Sequence, residues 1–157
     1  MRITEVNEEN IAAAARIHAE SWQESHKSFC SAEFVAKHTV SAQAEYLRRE
    51  MAAGKRIYML IAGAPVGIVS VQGNLIENLY VLPGEQNKGY GTRLLNYAME
   101  QCEGVPSLWI LNINEDAYRL YTRRGFAETG NRKQLKGNLF ELELAWSGQN
   151  TVRQKET

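Results

Sequence analysis

Apolar and polar positions recur along this chain in two periods, and the switches between them predict its elements. Arg2 to Val6 has the length of a short strand. Asn7 is placed to cap a helix whose first turn carries Glu8 and Glu9, where the helix dipole favours acids. Ile11, Ala14, Ala15, His18 and Trp22 form the inward stripe of that helix. Gln23 to Cys30 reads as a loop. A short helix over Ser31 to Lys37 and a longer one over Ser41 to Ala53 follow, the latter with Ala44, Leu47 and Met51 on one face and Gly54 as C-cap. Ile57 to Ala62 and Val66 to Val71 are apolar runs of strand length joined around Gly63-Ala64-Pro65, which predicts an antiparallel hairpin. Gly73-Asn74 turns the chain into a further strand, Leu75 to Val81.

Helical spacing returns with Leu94, Leu95, Ala98, Met99 and Cys102, predicting a helix over Thr92 to Glu103 that Gly104 closes ahead of Pro106. Leu108 to Ile113 reads as a buried strand. Strand, helix and strand in this order predict a βαβ unit with parallel strands and a right-handed crossover. A short helix over Glu115 to Arg124 stops at Gly125. Phe140, Leu142, Leu144 and Trp146 then alternate with Glu141, Glu143 and Ala145, the period of a half-buried strand. The pattern assigns residues 1–146 to one domain and leaves 147–157 as a polar, frayed tail.

Composition narrows the class without naming a function. The 157 residues are 44% hydrophobic and 23% charged, ordinary for one soluble globular domain. Eighteen Lys and Arg balance eighteen Asp and Glu, so no basic field suggests nucleic acid as a partner. Cys30 and Cys102 stand alone, without metal-ligand spacing, so no metal is expected and a reduced, cytoplasmic location is the default. No apolar run reaches the roughly 18 residues of a membrane span, and the first residues lack a signal core.

The sharpest chemical signal is Gln86-Asn87-Lys88-Gly89-Tyr90-Gly91, which follows a predicted strand and opens a predicted helix. A helix begins with unpaired N–H groups and a partial positive charge, both of which suit an anion. Gly89 and Gly91 let backbone come close to phosphate oxygens. The same residues also describe an ordinary glycine turn. Downstream, Asn114, Ala117 and Tyr121 fall at i, i+3 and i+7 on one face of the short helix that begins where the second parallel strand ends. In α/β folds that end of the sheet binds ligands.

Leu79-Tyr80-Val81, the Gln-x-x-Gly-x-Gly turn, and Asn-x-x-Ala-x-x-x-Tyr-x-x-x-Gly-Phe from Asn114 to Phe126 occur in this order across a βαβ unit. In this combination the chain resembles the GNAT superfamily of acetyl-coenzyme A-dependent N-acetyltransferases, most strongly over residues 57 to 146, with an echo at Ser21-Trp22. The resemblance implies an α/β (α+β) fold: a mixed, mostly antiparallel sheet flanked by helices, with a central parallel pair splayed at the acyl-coenzyme A site. It implies acetyl-CoA as co-substrate, held by the backbone of Leu79, Tyr80 and Val81, by Gln86, Asn87, Lys88, Gly89, Tyr90, Gly91 and Thr92 at the pyrophosphate, and by Asn114 at the pantetheine arm. Tyr121 would stand near sulfur as proton donor to the departing thiolate. Its alternative is a core tyrosine beside Phe126.

Glu77 is the one acid of its strand and the candidate base, with solvation at a strand edge as the alternative. Glu24 and His26 would lie in the loop over the acceptor site, with Trp22, Phe29 and Phe34 as pocket or core. His18 reads as packing. The acceptor is expected to be the primary amine of a small molecule, peptide or protein, acetylated directly in a ternary complex. A non-catalytic acyl-CoA sensor and a transferase of longer acyl groups are the competing readings. Family members commonly form homodimers, which extends to this chain as an expectation.

Overall fold

The computed structural model describes residues 1–148. The expected fraying of the tail concerns residues that lie, from 149 onward, outside the described ones. Among the described residues, five α-helices, one short 3-10 helix (Pro83–Glu85) and seven strands follow the predicted order, with the 3-10 helix and one strand as additions. They are β1 (Arg2–Glu5), α1 (Ile11–His26), α2 (Ala32–Ala36), α3 (Val40–Ala52), β2 (Arg56–Ala62), β3 (Ala64–Gln72), β4 (Leu75–Val81), α4 (Tyr90–Gln101), β5 (Ser107–Leu111), α5 (Glu115–Arg123), β6 (Phe126–Gln134) and β7 (Phe140–Trp146). The strands form one seven-stranded sheet in the order β1-β2-β3-β4-β5-β7-β6. It is mostly antiparallel, and its parallel pair joins β4 to β5, with Leu75 opposite Ser107. This is the mixed α/β fold that the resemblance implied.

The chain clusters into two compact units, Met1–Gln72 with Asn78–Gln101, and Gly73–Glu77 with the chain from Cys102 onward. In the first unit, β2 and β3 are buried on both faces, which is why they read as continuous apolar runs. Ile57, Met59 and Ile68 join Ile11, Ala14, Ala15, Ile17 and Leu47 in one core. The opposite faces of these strands meet α4, with Tyr58 edge-on to Tyr97 at 5.0 Å. Gly67 allows this closeness, because a Cβ there would stand 2.7 Å from Leu94 Cδ1 and 3.0 Å from the Tyr80 carbonyl oxygen. Helix α4 ends at Gln101, whose carbonyl accepts from the Arg56 guanidinium at 2.9 Å. Cys102 therefore lies beyond the helix that periodicity extended to Glu103.

Two further expectations are corrected in this unit. Asn7 does not cap α1: its Oδ1 accepts from the N–H groups of Glu9 and Asn10, while Asn10 Oδ1 accepts from Asn7 N–H at 2.8 Å. These reciprocal bonds build a separate turn, so the helix starts at Ile11 and its first turn holds no acid. The expected loop from Gln23 to Cys30 is helical as far as His26.

In the second unit, Leu108 and Ile110 of β5 stand opposite Leu144 and Leu142 of β7, and all four are buried. Strand β6 is the element periodicity did not find. Only Phe126 in it is buried, and its ladder with β7 shifts register between Glu128 and Arg132. Its side-chain ties are polar, with the Thr129 hydroxyl and Asn131 amide donating to Glu143 at 2.8 and 2.9 Å.

Candidate functional site

In the first unit the glycine turn has the conformation its sequence demands. Asn87 takes φ 63° and Gly89 φ 85°, both left-handed, and α4 begins at Tyr90. Asparagine tolerates this region and glycine enters it freely. No atom stands within 4 Å of where a Gly89 side chain would begin, so the turn faces open space. Lys88 is exposed and paired with Glu85 at 2.8 Å, which raises its pKa through that hydrogen bond. The turn, the first N–H groups of α4 and exposed Thr92 are the groups of this unit that could hold a phosphate.

The strand leading into this turn is less open than expected. The Val81 carbonyl already accepts from Ser21 Oγ and from Gln86 Nε2, each at 3.3 Å. Gln86 and Ser21 therefore fasten the end of β4, and Gln86 acts on the strand instead of standing free in the turn. Just upstream, Asn78 takes φ 53°, a left-handed break inside an apolar strand. Its amide donates to Ser70 Oγ at 3.2 Å and approaches the Tyr46 hydroxyl at 3.5 Å. Sequence reasoning passed over Asn78, although a polar residue of left-handed tolerance amid apolar neighbours was the signal.

Beside this break lies a cavity of about 470 Å³, and it lies wholly in the first unit. Trp22, Phe34, Tyr46 and Tyr80 wall it, together with His18 and His38. Trp22 is stacked between His26 at 3.9 Å and His38 at 3.4 Å, with Phe34 tilted against it at 5.8 Å. His26 thus serves a helix face and not a loop, and its pKa is lowered, chiefly by burial. Glu24 is likewise helical, exposed and paired with Lys27 at 2.8 Å. Phe29 sits against His26 at 5.1 Å.

His18 is 4% exposed, and its Nδ1 is buried without a hydrogen-bond partner. Loss of water lowers its pKa to about 4, against an opposing contact with Asn78. It packs as expected, between Tyr46 and Tyr80 at 5.4 and 5.0 Å, and it also lines the cavity. Burial pushes the Tyr80 phenol well above its usual range.

A larger concavity of about 610 Å³ in the same unit is lined by Arg16, Glu20, Glu24, Lys27 and Glu85. Its charges are consumed in pairs along the chain, Arg16 with Glu20, Lys27 with Glu24, and Glu85 with Lys88. That is the behaviour of a solvated surface, and the smaller aromatic cavity is the better ligand site.

In the second unit, Asn114 is the N-cap of α5, its Oδ1 accepting from Ala117 N–H at 3.2 Å. One of its polar atoms is thereby committed to the helix. Tyr121 lies on the same helix, 7% exposed, with its ring edge-on to Phe126 at 5.8 Å. The packing expected of a core tyrosine is present. Glu77 is half-buried at the end of this unit's part of β4. Among the described residues, no cluster of His, Cys, Asp and Glu could hold a metal, and no helix is long and apolar enough to cross a membrane.

Comparison with known proteins is consistent at the level of fold and family. The fold is similar to PaiA N-acetyltransferase from Thermoplasma acidophilum in complex with coenzyme A, at TM-score 0.67 and 19% identity over 90% of this chain and 96% of that one. The apo form of YjaB from Escherichia coli matches at 0.69 and 22%, covering 95% of this chain and all of that one (100%). YncA from Salmonella typhimurium, described as a putative acetyltransferase with acetyl-CoA, matches at 0.64 and 18% over 92% and 91%. No curated protein matches by sequence. The family model for the acetyltransferase (GNAT) domain spans residues 6–141, most of the chain, and the chain belongs to the GNAT acetyltransferase family.

Proposed function

We propose that this protein transfers an acetyl group from acetyl-CoA to a primary amine, directly and within a ternary complex. The observation that carries the reading is the left-handed turn at Asn87 and Gly89, which opens onto the start of α4. The coenzyme A and acetyl-CoA of the PaiA and YncA structures support the same donor. Gln86 to Thr92 would hold the pyrophosphate, the backbone of Leu79 and Tyr80 the pantetheine arm, and Asn114 would contact that arm through its remaining amide group. The donor supplies an activated thioester.

The protein must supply three things. A primary amine of pKa about 10.4 is mostly protonated at pH 7, and removing its proton costs about 4–5 kcal/mol, so a base or a desolvating cavity is needed. In this reading Glu77 is the base, through water. The Leu79 N–H would stabilise the oxyanion as a fixed dipole that needs no reorganisation. Tyr121 would protonate the departing thiolate, its phenol serving as the general acid.

Coenzyme A release over a panel of amines tests the whole reading. Acceleration by at least one amine is expected, and tight coenzyme A binding without any acceleration would instead make the protein an acyl-CoA sensor. Tyr121→Phe is expected to lower kcat by about 100-fold or more while leaving acetyl-CoA affinity within about threefold. Unchanged kcat in that variant removes Tyr121 as the acid.

A further inference from the structure

The aromatic cavity carries charge of one sign. Lys37 and Arg49 line it, and no Asp or Glu does among the described residues. Neither cation belongs to an ion pair among the described residues, whereas the neighbouring Arg48 is taken up by Glu8 and Glu45. The nearby acid Glu50 pairs with Lys55 at 3.3 Å. Two unpaired cations beside stacked rings fit an anionic group joined to a flat apolar one. The volume of about 470 Å³ falls within the roughly 300–1,000 Å³ of small-molecule sites.

From this arrangement we propose that the acceptor amine also bears a carboxylate and a planar apolar group, in the manner of an aromatic α-amino acid. This rests on the transferase reading above and names the acceptor class for it. The carboxylate pairs with Arg49, and Lys37 adds to the same field. The apolar group lies against Trp22 and Phe34. The cations help the chemistry as well, because a nearby positive charge disfavours the protonated amine and leaves more of the neutral nucleophile. They act against polyamines for the same reason, since each further ammonium group is repelled.

The test compares L-phenylalanine, L-phenylalaninamide, 2-phenylethylamine and spermidine as acceptors, by thiol release. One charge-assisted pair predicts kcat/KM for phenylalanine about 10-fold or more above the amide and the decarboxylated amine, with spermidine poorest. Arg49→Gln should bring the ratio of phenylalanine to 2-phenylethylamine to within about threefold, mainly through KM for phenylalanine. Equal or better use of the amide, of 2-phenylethylamine or of spermidine overturns the proposal, as does an unchanged ratio in Arg49→Gln.

Binding without acetyl-CoA separates this inference from the transferase reading. Phenylalanine should quench intrinsic fluorescence more strongly than its amide, and Trp22→Phe should abolish that difference. If no amine accelerates thiol release but this preference is present, the acceptor site stands and the catalysis does not. If phenylalanine and its amide quench alike, the proposed class is wrong whatever the catalysis shows.

Discussion

His18 gives this fold a built-in sensitivity to acid. Its imidazole is buried between Tyr46 and Tyr80, with Nδ1 unpartnered, and its pKa falls from 6.5 to about 4 because protonation would place a charge in a desolvated site. His26 and His38 push in the same direction, and the Asn78 side chain opposes them. In the unfolded chain the ring titrates near 6.5, so between pH 6.5 and 4 the unfolded state binds the extra proton. The contribution of neutral His18 is therefore complete above about pH 6.5 and is lost as the pH falls toward 4. Converted at about 1.4 kcal/mol per pH unit, the loss is roughly 3 kcal/mol.

Urea unfolding of the wild type and of His18→Gln, from pH 7.5 down to 4.5, checks this. The wild type is expected to lose more stability than the variant over that interval, by about 2–3 kcal/mol. Proton NMR of the His18 ring should show it neutral down to about pH 5. A ring that titrates above pH 6, or parallel stability curves for the two proteins, refutes the reasoning.

Gly67→Ala should cost about 1–3 kcal/mol, because the new Cβ would meet buried Leu94 and the Tyr80 backbone, and neither can swing aside. Coenzyme A affinity should fall with it, since the end of β4 and the start of α4 would both shift; a change in stability below about 0.5 kcal/mol contradicts the close approach. At Asn78, the alanine variant should be less stable than the glycine variant by about 1 kcal/mol, since both lose the bond to Ser70 but only alanine strains at φ 53°. Equal stability of Asn78→Ala and Asn78→Gly in urea unfolding would mean that the left-handed break is relaxed by the substitution.

The central elements were legible because their side chains are buried in a fixed period. Strands β2 and β3 lie between two layers and read as unbroken apolar runs, while α3 and α4 show one apolar stripe each. The glycine turn was legible because left-handed backbone narrows the residue choice at a position. Strand β6 was not, since an exposed edge strand held by backbone bonds and by Thr129 and Asn131 needs no hydrophobic alternation. The start of α1 was misplaced because Asn7 and Asn10 compete for the same local backbone bonds, and residue type alone does not decide between them.

By itself the sequence determined the order of the elements apart from β6, the parallel pair in the sheet, the family and the left-handed turn before α4, all of which depend on local conformation or on burial period. Only the tertiary structure assembled the aromatic cavity. His18, Trp22, His38, Tyr46, Arg49, Asn78 and Tyr80 come from two helices, the link between α2 and α3, and a strand, and each alone reads as core or as surface. What makes them a cavity that Arg49 and Lys37 line, with no carboxylate among the described residues, is which neighbours each side chain meets after packing. That depends on contacts between residues far apart in the chain, which no local pattern encodes.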